Sequence, residues 1–526
     1  MSPRSEGSVS NRSNPRGLRG LALVAMMIPV LAGCTAGPST RPAIVQNDGP
    51  APQAPPEEPS EVPLPPLAEP RASGLSWSDC RAETSARIGT PLPAELSFSC
   101  GRVITTMDAP DLPRRGVARI SLLKVGDGPI PLAVLNDVDR EPGSLYAVRI
   151  AQQLPPEVLE RFSLIGVDRR GTGQSDAVDC VPEHIREQLL GYDPAATEAG
   201  PLLDAARKAG QQCTIGLENG QTAYDSWRTA ADLDEIRAQL GMDHLHAIGH
   251  GEGSRVLTAY ANRYPGRVGR MVLDGIPDPS PNTASVLADI ATGTLSTLDA
   301  FGEDCADRDC GLGDARKAVT ALSEQLSTAP LRTPNGTRMG PALALHAVRI
   351  GLGQRERWPD LATAITAARG GDAAGLATFV APLLRDTPLH TPRLDGALAT
   401  ICNDMATRLP ENRIDQALQD AAAKQPLFGT LLAQRLAWCS PWPVRTDPVP
   451  EAGARDAPPI MVVSTATDPV TPEKGTIRAA EQMPSAVRIA WQGAGHGALA
   501  SSCVLAATAE FLVEGTVPSE GTLCPA

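Results

Sequence analysis

Short unbroken apolar runs and helically spaced ones alternate along two stretches of this chain. Pro131 to Asn136 and Ser163 to Asp168 are apolar runs bounded by turn residues, the pattern of strands buried on both faces. Ahead of them, Ser97 to Thr106 and Val117 to Val125 read as an antiparallel pair. Helical stretches lie between the runs. One passes through Tyr146 to Leu154 and is broken by Pro155-Pro156. Another has a capping-box-like start at Thr229-Ala-Ala-Asp232, repeats Leu233, Ile236 and Leu240 at helical spacing, and stops at Gly241. This alternation implies a mostly parallel sheet covered on both faces. After Pro277 the pattern changes. Helical spacing dominates to about Val444, as in Leu361, Ile365 and Ala368, or Ile414, Leu418 and Ala422. The sheet pattern resumes at Ile460 to Ser464, followed by a helix around Glu473 to Met483, a strand at Ala486 to Trp491 and a last helix around Cys503 to Val513. The layout is an α/β core in two parts, 75–279 and 446–526, with a helical cap inserted at 280–445.

The stretch from His244 to Ile276 organises the core. An apolar run leads into Gly249-His250-Gly251-Glu252-Gly253-Ser254 and then directly into a helical pattern. Tyr264-Pro265-Gly266 stops the helix, and Val268 to Leu273 is the next strand. A strand, sharp turn and helix in this order form a nucleophile elbow, which raises a catalytic side chain above a parallel sheet. The usual elbow is G-x-S-x-G. Here Gly249 and Gly253 hold the outer positions and Gly251 holds the middle one. Glycine suits the positive φ of such a turn and supplies no attacking atom.

Charge and composition narrow the class. The chain has 526 residues, a net charge of −13 and 42% apolar residues, enough for a large core and without the basic excess that nucleic acid requires. Arg4, Arg12, Arg16 and Arg19 precede an apolar segment, Leu21 to Leu31, that is too short for an ordinary spanning helix. Leu31-Ala32-Gly33-Cys34 resembles a bacterial lipobox. Residues 1–34 therefore read as a lipoprotein signal, with Cys34 the site of lipid attachment. The Pro-rich segment 35–74 cannot bury a core and reads as a spacer between membrane and domain. The protein is expected to be exported and anchored on the outer side of the cell membrane. Of eleven cysteines, ten remain after Cys34, an even number suited to an oxidising compartment. Pairing of sequence neighbours is the simplest hypothesis: Cys80 with Cys100, Cys180 with Cys213, Cys305 with Cys310, Cys402 with Cys439, and Cys503 with Cys524. No C-x-x-C or Cys/His cluster stands in the sequence, so neither a metal nor a cofactor is expected.

Several motifs in fixed order carry a family resemblance. They are Val167-Asp-Arg-Arg-Gly-Thr-Gly-Gln-Ser-Asp176, Ala261 to Gly275, Thr467-Asp468-Pro-Val-Thr-Pro472 and Gly493-Ala-Gly-His496-Gly497. Cys439-Ser-Pro-Trp-Pro443 and Gly515 to Cys524 complete the set. Together, over roughly Trp77 to Cys524, the chain resembles the exported tripeptidyl-aminopeptidase-like α/β-hydrolases of actinobacteria, relatives of prolyl aminopeptidases. The resemblance implies an α/β-hydrolase fold, a helical cap and serine exopeptidase chemistry on peptides with a free N-terminus. It places Asp468 as the triad acid, His496 as the base and Gly251 where the family has its serine. It also places an N-G-G-P-G loop after the third strand, contributing to the oxyanion hole. This chain has Asn136-Asp137-Val138-Asp139-Arg140-Glu141-Pro142-Gly143 there, so Asp137 and Asp139, with Glu252, stand in the oxyanion-hole region.

Acyl transfer needs an attacking oxygen, a base and donors for the oxyanion. The base and its acid are present. The nucleophile is missing at Gly251, and carboxylates replace a glycine cradle, which reads as two independent losses. Ser254, about one helical turn further on, is expected to be packed. Glu252 suits the helix dipole. Asp404 is a possible partner for a substrate amine, or a surface carboxylate beside a disulfide. Three readings follow. The favoured one is a pseudo-hydrolase that binds a peptide or small ligand in a capped pocket. The second is an active hydrolase using the His496–Asp468 pair by a non-standard mechanism, such as direct activation of water. The third is a purely structural envelope lipoprotein.

Overall fold

The computed structural model describes residues 62–108, 116–218, 220–443 and 453–526. The signal segment, Cys34, most of the spacer and the end of the predicted cap at 445 lie outside the described residues. Among them are twelve strands: β1 Ser78–Asp79, β2 Phe98–Thr106, β3 Val117–Val125, β4 Ile130–Leu135, β5 Phe162–Val167, β6 Leu245–His250, β7 Val268–Asp274, β8 Leu331–Arg332, β9 Arg338–Met339, β10 Ile460–Thr467, β11 Ala486–Ala494 and β12 Thr522–Cys524. Ten of them form one sheet in the order β1-β2-β3-β5-β4-β6-β7-β10-β11-β12. The pairs β1/β2, β2/β3 and β3/β5 are antiparallel. From β5 onward every neighbour is parallel. This is the mostly parallel sheet of an α/β-hydrolase.

The central strands β4, β5, β6 and β7 are buried along their whole length. Side chains alternate between the two faces, as the pleat requires. Ala133 and Leu135 join one apolar core with Leu233, Ile236, Val256 and Tyr260. Leu132 and Val134 join the other with Val148, Ile150, Val504 and Phe511.

Two boundaries differ from the sequence reading. The helix expected to start at Thr229 begins at Ser226, because Asp225 takes the N-cap position and its side chain accepts from the Arg228 N–H. Asp232 is then free to receive the Arg170 guanidinium at 2.7 Å from both of its oxygens. Residues 178–216, placed in the core by sequence, pack elsewhere. Helices Glu183–Leu190 and Gly200–Gly216 share an apolar core with the helices between Thr283 and Cys439. Their apolar faces match the helical block and not the sheet, so the cap is built from two insertions. Five disulfides join the expected neighbours: Cys80–Cys100, Cys180–Cys213, Cys305–Cys310, Cys402–Cys439 and Cys503–Cys524. No helix among the described residues is long and apolar enough to cross a membrane.

Candidate active site

The site lies at the carboxyl ends of β4, β6, β7, β10 and β11. At the end of β6, Gly251 has φ 54° and ψ −119°, a left-handed conformation that glycine adopts without strain. Its N–H donates to Asp274 O at 3.0 Å, and its carbonyl accepts from Ser254 N at 3.0 Å, so the turn passes straight into helix Glu252–Arg263. Gly253 is required for a different reason. A Cβ there would stand 2.7 Å from Leu135 O, so its absence lets the helix start seat against the end of β4.

The space a side chain at position 251 would take is filled. A Cβ on Gly251 would run into the Asp137 carboxylate. Asp137 follows β4, and its backbone is fixed by Asn136, whose Oδ1 accepts from Asp137 N at 2.8 Å and whose Nδ2 donates to Glu141 O at 2.9 Å. Asp137 Oδ1 accepts from the Glu252 N–H at 2.7 Å. That N–H follows the nucleophile position and is an oxyanion-hole donor in an elbow of this type. Asp137 Oδ2 accepts from His496 Nε2 at 2.7 Å. The two changes read separately from the sequence meet at one group: a single carboxylate fills the space beside Gly251 and accepts from the Glu252 N–H.

The acid and base meet as the resemblance implies. His496, just beyond β11, donates from Nδ1 to Asp468 Oδ2 at 2.9 Å. Asp468 follows β10 and is held by N–H groups of Val470 (2.7 Å), Thr471 (2.8 Å) and Gly497 (3.0 Å). The side chains of His496, Asp137 and Asp468 are only 3%, 1% and 1% exposed. Burial alone would disfavour the imidazolium. Asp468 and Asp137 outweigh it and push the His496 pKa up to about 10. Burial likewise opposes the charge on Asp137 and on Asp468, and in both cases His496 prevails and holds the carboxyl below its ordinary range. With both ring nitrogens donating, His496 presents no lone pair to a hydroxyl or to water.

The remaining expected residues separate. Asp139 turns its carboxylate toward cap arginines and not into the elbow. It lies 3.6 Å from both Arg349 and Arg435, in the cap. Glu252 keeps its side chain beside Asp137 and Asp139, and burial first, then those carboxylates, push its pKa up to about 7. Ser254 is fully buried and donates to Gly249 O at 2.8 Å, so it is packed and not aimed at His496. Asp404 accepts from Ser226 N at 2.9 Å and from Ser226 Oγ at 2.6 Å, and it is half-buried in the wall of a cavity that also includes Glu252.

Sequence reasoning missed a second histidine–carboxylate pair. His250 Nδ1 donates to Asp274 Oδ2 at 2.9 Å, and the other Asp274 oxygen accepts from Ala498 N at 2.7 Å. The His250 and His496 rings lie 4.2 Å apart, centroid to centroid. The signal was present: His250 and Asp274 end adjacent strands and stand opposite each other in the parallel register of β6 and β7. Three cavities among the described residues reach the site, the smallest beside Asn136 and Asp137; the two larger ones open on either side of it. One of about 290 Å³ includes Tyr146, His250, Arg355, Trp491 and His496 in its wall. The other, of about 130 Å³, is lined in part by Glu252, Asp278, Leu287, Ile401 and Arg435.

Similarity to known proteins follows the same lines. Residues 425–524 match a family described as TAP-like protein within the α/β-hydrolases. The chain is 26% identical over 489 residues to the serine protease Hip1 of Mycobacterium tuberculosis, which spans 87% of this chain and 92% of that relative. It is 24% identical over 478 residues to a tripeptidyl aminopeptidase of Streptomyces lividans, with 86% and 87% covered. It is 27% identical over 503 residues to carboxylesterase B of Mycobacterium tuberculosis, with 89% and 93% covered. In its sheet order, its acid–base pair and its C-terminal segment, the chain is similar to the TAP-like α/β-hydrolases, and residues 425–524 match that family's domain.

Proposed function

We propose that this protein is an exported, lipid-anchored TAP-like hydrolase relative that has lost serine acyl transfer and binds a peptide or small ligand beneath its cap. One observation carries the proposal: the Asp137 carboxylate sits where a nucleophilic side chain at position 251 would stand and holds the Glu252 N–H that would serve the oxyanion. A negative charge there repels the developing oxyanion, and both ring nitrogens of His496 already face carboxylates. The names of the relatives bring peptide and ester ligands into consideration. The capped cavities beside the site have the concave, mixed apolar and polar lining that such ligands use. The charged n-region, the lipobox at Cys34, the Pro-rich spacer and the five disulfides support an extracytoplasmic, membrane-anchored location.

The alternative, water activated directly by His496 and Asp468, has less support. His496 Nε2 already donates to Asp137, so it must first lose its proton and that partner. The test exposes the protein to a fluorophosphonate and to peptides and esters with free N-termini. Neither labelling nor turnover is expected. Turnover that disappears in His496→Ala would sink the proposal in favour of the alternative.

A further inference from the structure

We infer that His250, His496 and Asp137 form a centre for one divalent first-row transition metal, zinc by its ligand set. Each of the three residues offers a donor atom, and these atoms lie within 4.8 Å of one another. Their side chains are 11%, 3% and 1% exposed, so the donors are held inside the protein and not on a solvated surface.

The surroundings are those of a metal site. A histidine ligand is ordinarily oriented by a carboxylate that accepts from its other ring nitrogen. Both histidines have this partner. Asp274 takes Nδ1 of His250 at 2.9 Å, and Asp468 takes Nδ1 of His496 at 2.9 Å. That leaves Nε2 on each ring as the atom available to a metal. Acyl transfer uses one histidine–carboxylate pair, and the His250–Asp274 pair has no task in it. Asp137 is oriented as well: the Glu252 N–H fixes Oδ1 and leaves Oδ2 toward His496.

The metal would take the position of the proton that now joins His496 Nε2 to Asp137 Oδ2, and that proton would pass to solvent. Bonds of about 2.0 Å at tetrahedral angles ask for donor separations of roughly 3.3 Å. The His496–Asp137 pair must therefore open from 2.7 Å by a fraction of an ångström. Asp137, Asp274 and Asp468 together offset the added dication. Two imidazoles and one carboxylate suit zinc, and three protein ligands leave a fourth position for water or a ligand. His250 and His496 both line the cavity of about 290 Å³, from which that ligand would enter. Gly251 acquires a positive role here, since a side chain at that position would displace Asp137.

The inference goes beyond the loss of acyl transfer and stands or falls separately from it, because fluorophosphonate labelling does not report on metal. The competing explanation is a self-sufficient hydrogen-bonded chain, Asp137–His496–Asp468. His250 discriminates between the two, since it takes no part in that chain. The full chain, dialysed against a chelator, is titrated with Zn²⁺ by calorimetry and with Co²⁺ by visible spectroscopy. One metal per chain is expected, with Co²⁺ bands of a four- or five-coordinate site and a raised melting temperature. His250→Ala should weaken binding by at least about a hundredfold, and Asp274→Asn by roughly ten- to a hundredfold. Circular dichroism checks that His250→Ala folds; if it does not, the Asp274→Asn result decides. No uptake by the unaltered protein, or uptake unchanged in the folded variants, overturns the inference.

Discussion

The two halves of the site are built differently. On the side of β10 and β11, Asp468 and His496 keep the arrangement of acid and base, with Asp468 buried and accepting from three backbone N–H groups. On the side of β4 and β6, Gly251 supplies the bend of the elbow turn, and Asp137, 114 positions earlier in the chain, supplies a charge beside it. The difference teaches that a buried acid–base pair can keep its order while a carboxylate occupies the neighbouring elbow. Gly251 leaves a space, the Asp137 carboxylate fills it, and the buried histidine has two carboxylate partners. Buried charge tolerates such an arrangement only if every charge stays paired.

The largest test of this contrast is Asp137→Ala. It removes at once the acceptor of the Glu252 N–H and one partner of the buried His496 imidazolium. Breaking a buried pair from one side costs about 3–5 kcal/mol, so the denaturation midpoint of this variant should fall steeply. A loss under about 1 kcal/mol would mean that the elbow half does not depend on Asp137.

Acid probes the strand that carries the elbow half. His246, inside β6, accepts from Arg270 N at 3.0 Å through Nδ1. Burial, then Arg270 and His244, push its pKa from 6.5 down to about 3. Because the folded value is the lower one, only the unfolded chain takes up the proton below pH 6.5. Its contribution is thus flat above that pH and is lost as pH falls toward 3, at about 1.4 kcal/mol per pH unit. At pH 5 the cost is roughly 2 kcal/mol. His246→Asn, which retains an acceptor, should flatten this part of the stability–pH curve; an unchanged slope would contradict the assignment.

The smallest effect is expected at Ser254. Its hydroxyl makes one buried hydrogen bond to Gly249 O, so Ser254→Ala should cost about 1 kcal/mol and change nothing at the site. Any residual hydrolysis that vanished in this variant would identify a displaced nucleophile and reverse the comparison.

Much of the fold was legible in the sequence because central parallel strands are short, wholly apolar and flanked by turns. β3 appears with the bounds its pattern predicts, and β4 and β5 differ by one residue. The helices at 183–216 were not legible as part of the cap. Membership in a core is settled by which apolar faces meet, and an insertion before the elbow has no marker of that. At the site, Gly251, Asp468 and His496 were visible because each follows a strand in a recognisable turn. The reach of Asp137 into the elbow was not, since proximity between loops after β4 and β6 depends on those strands being sheet neighbours. Along the chain Asp137 and Gly251 are 114 positions apart, and only the pairing of β4 with β6 brings them together.

Whether Asp137 takes the nucleophile's place is measured most directly by comparing Gly251→Ser, Asp137→Gly and the double variant in fluorophosphonate labelling and turnover of N-terminally free peptides. A serine placed beside an unchanged Asp137 should be crowded and silent, and Asp137→Gly alone lacks an attacking oxygen. Only the double variant is predicted to label and to turn over substrate. Equal activity from Gly251→Ser alone, or turnover by the unaltered protein, would contradict the account.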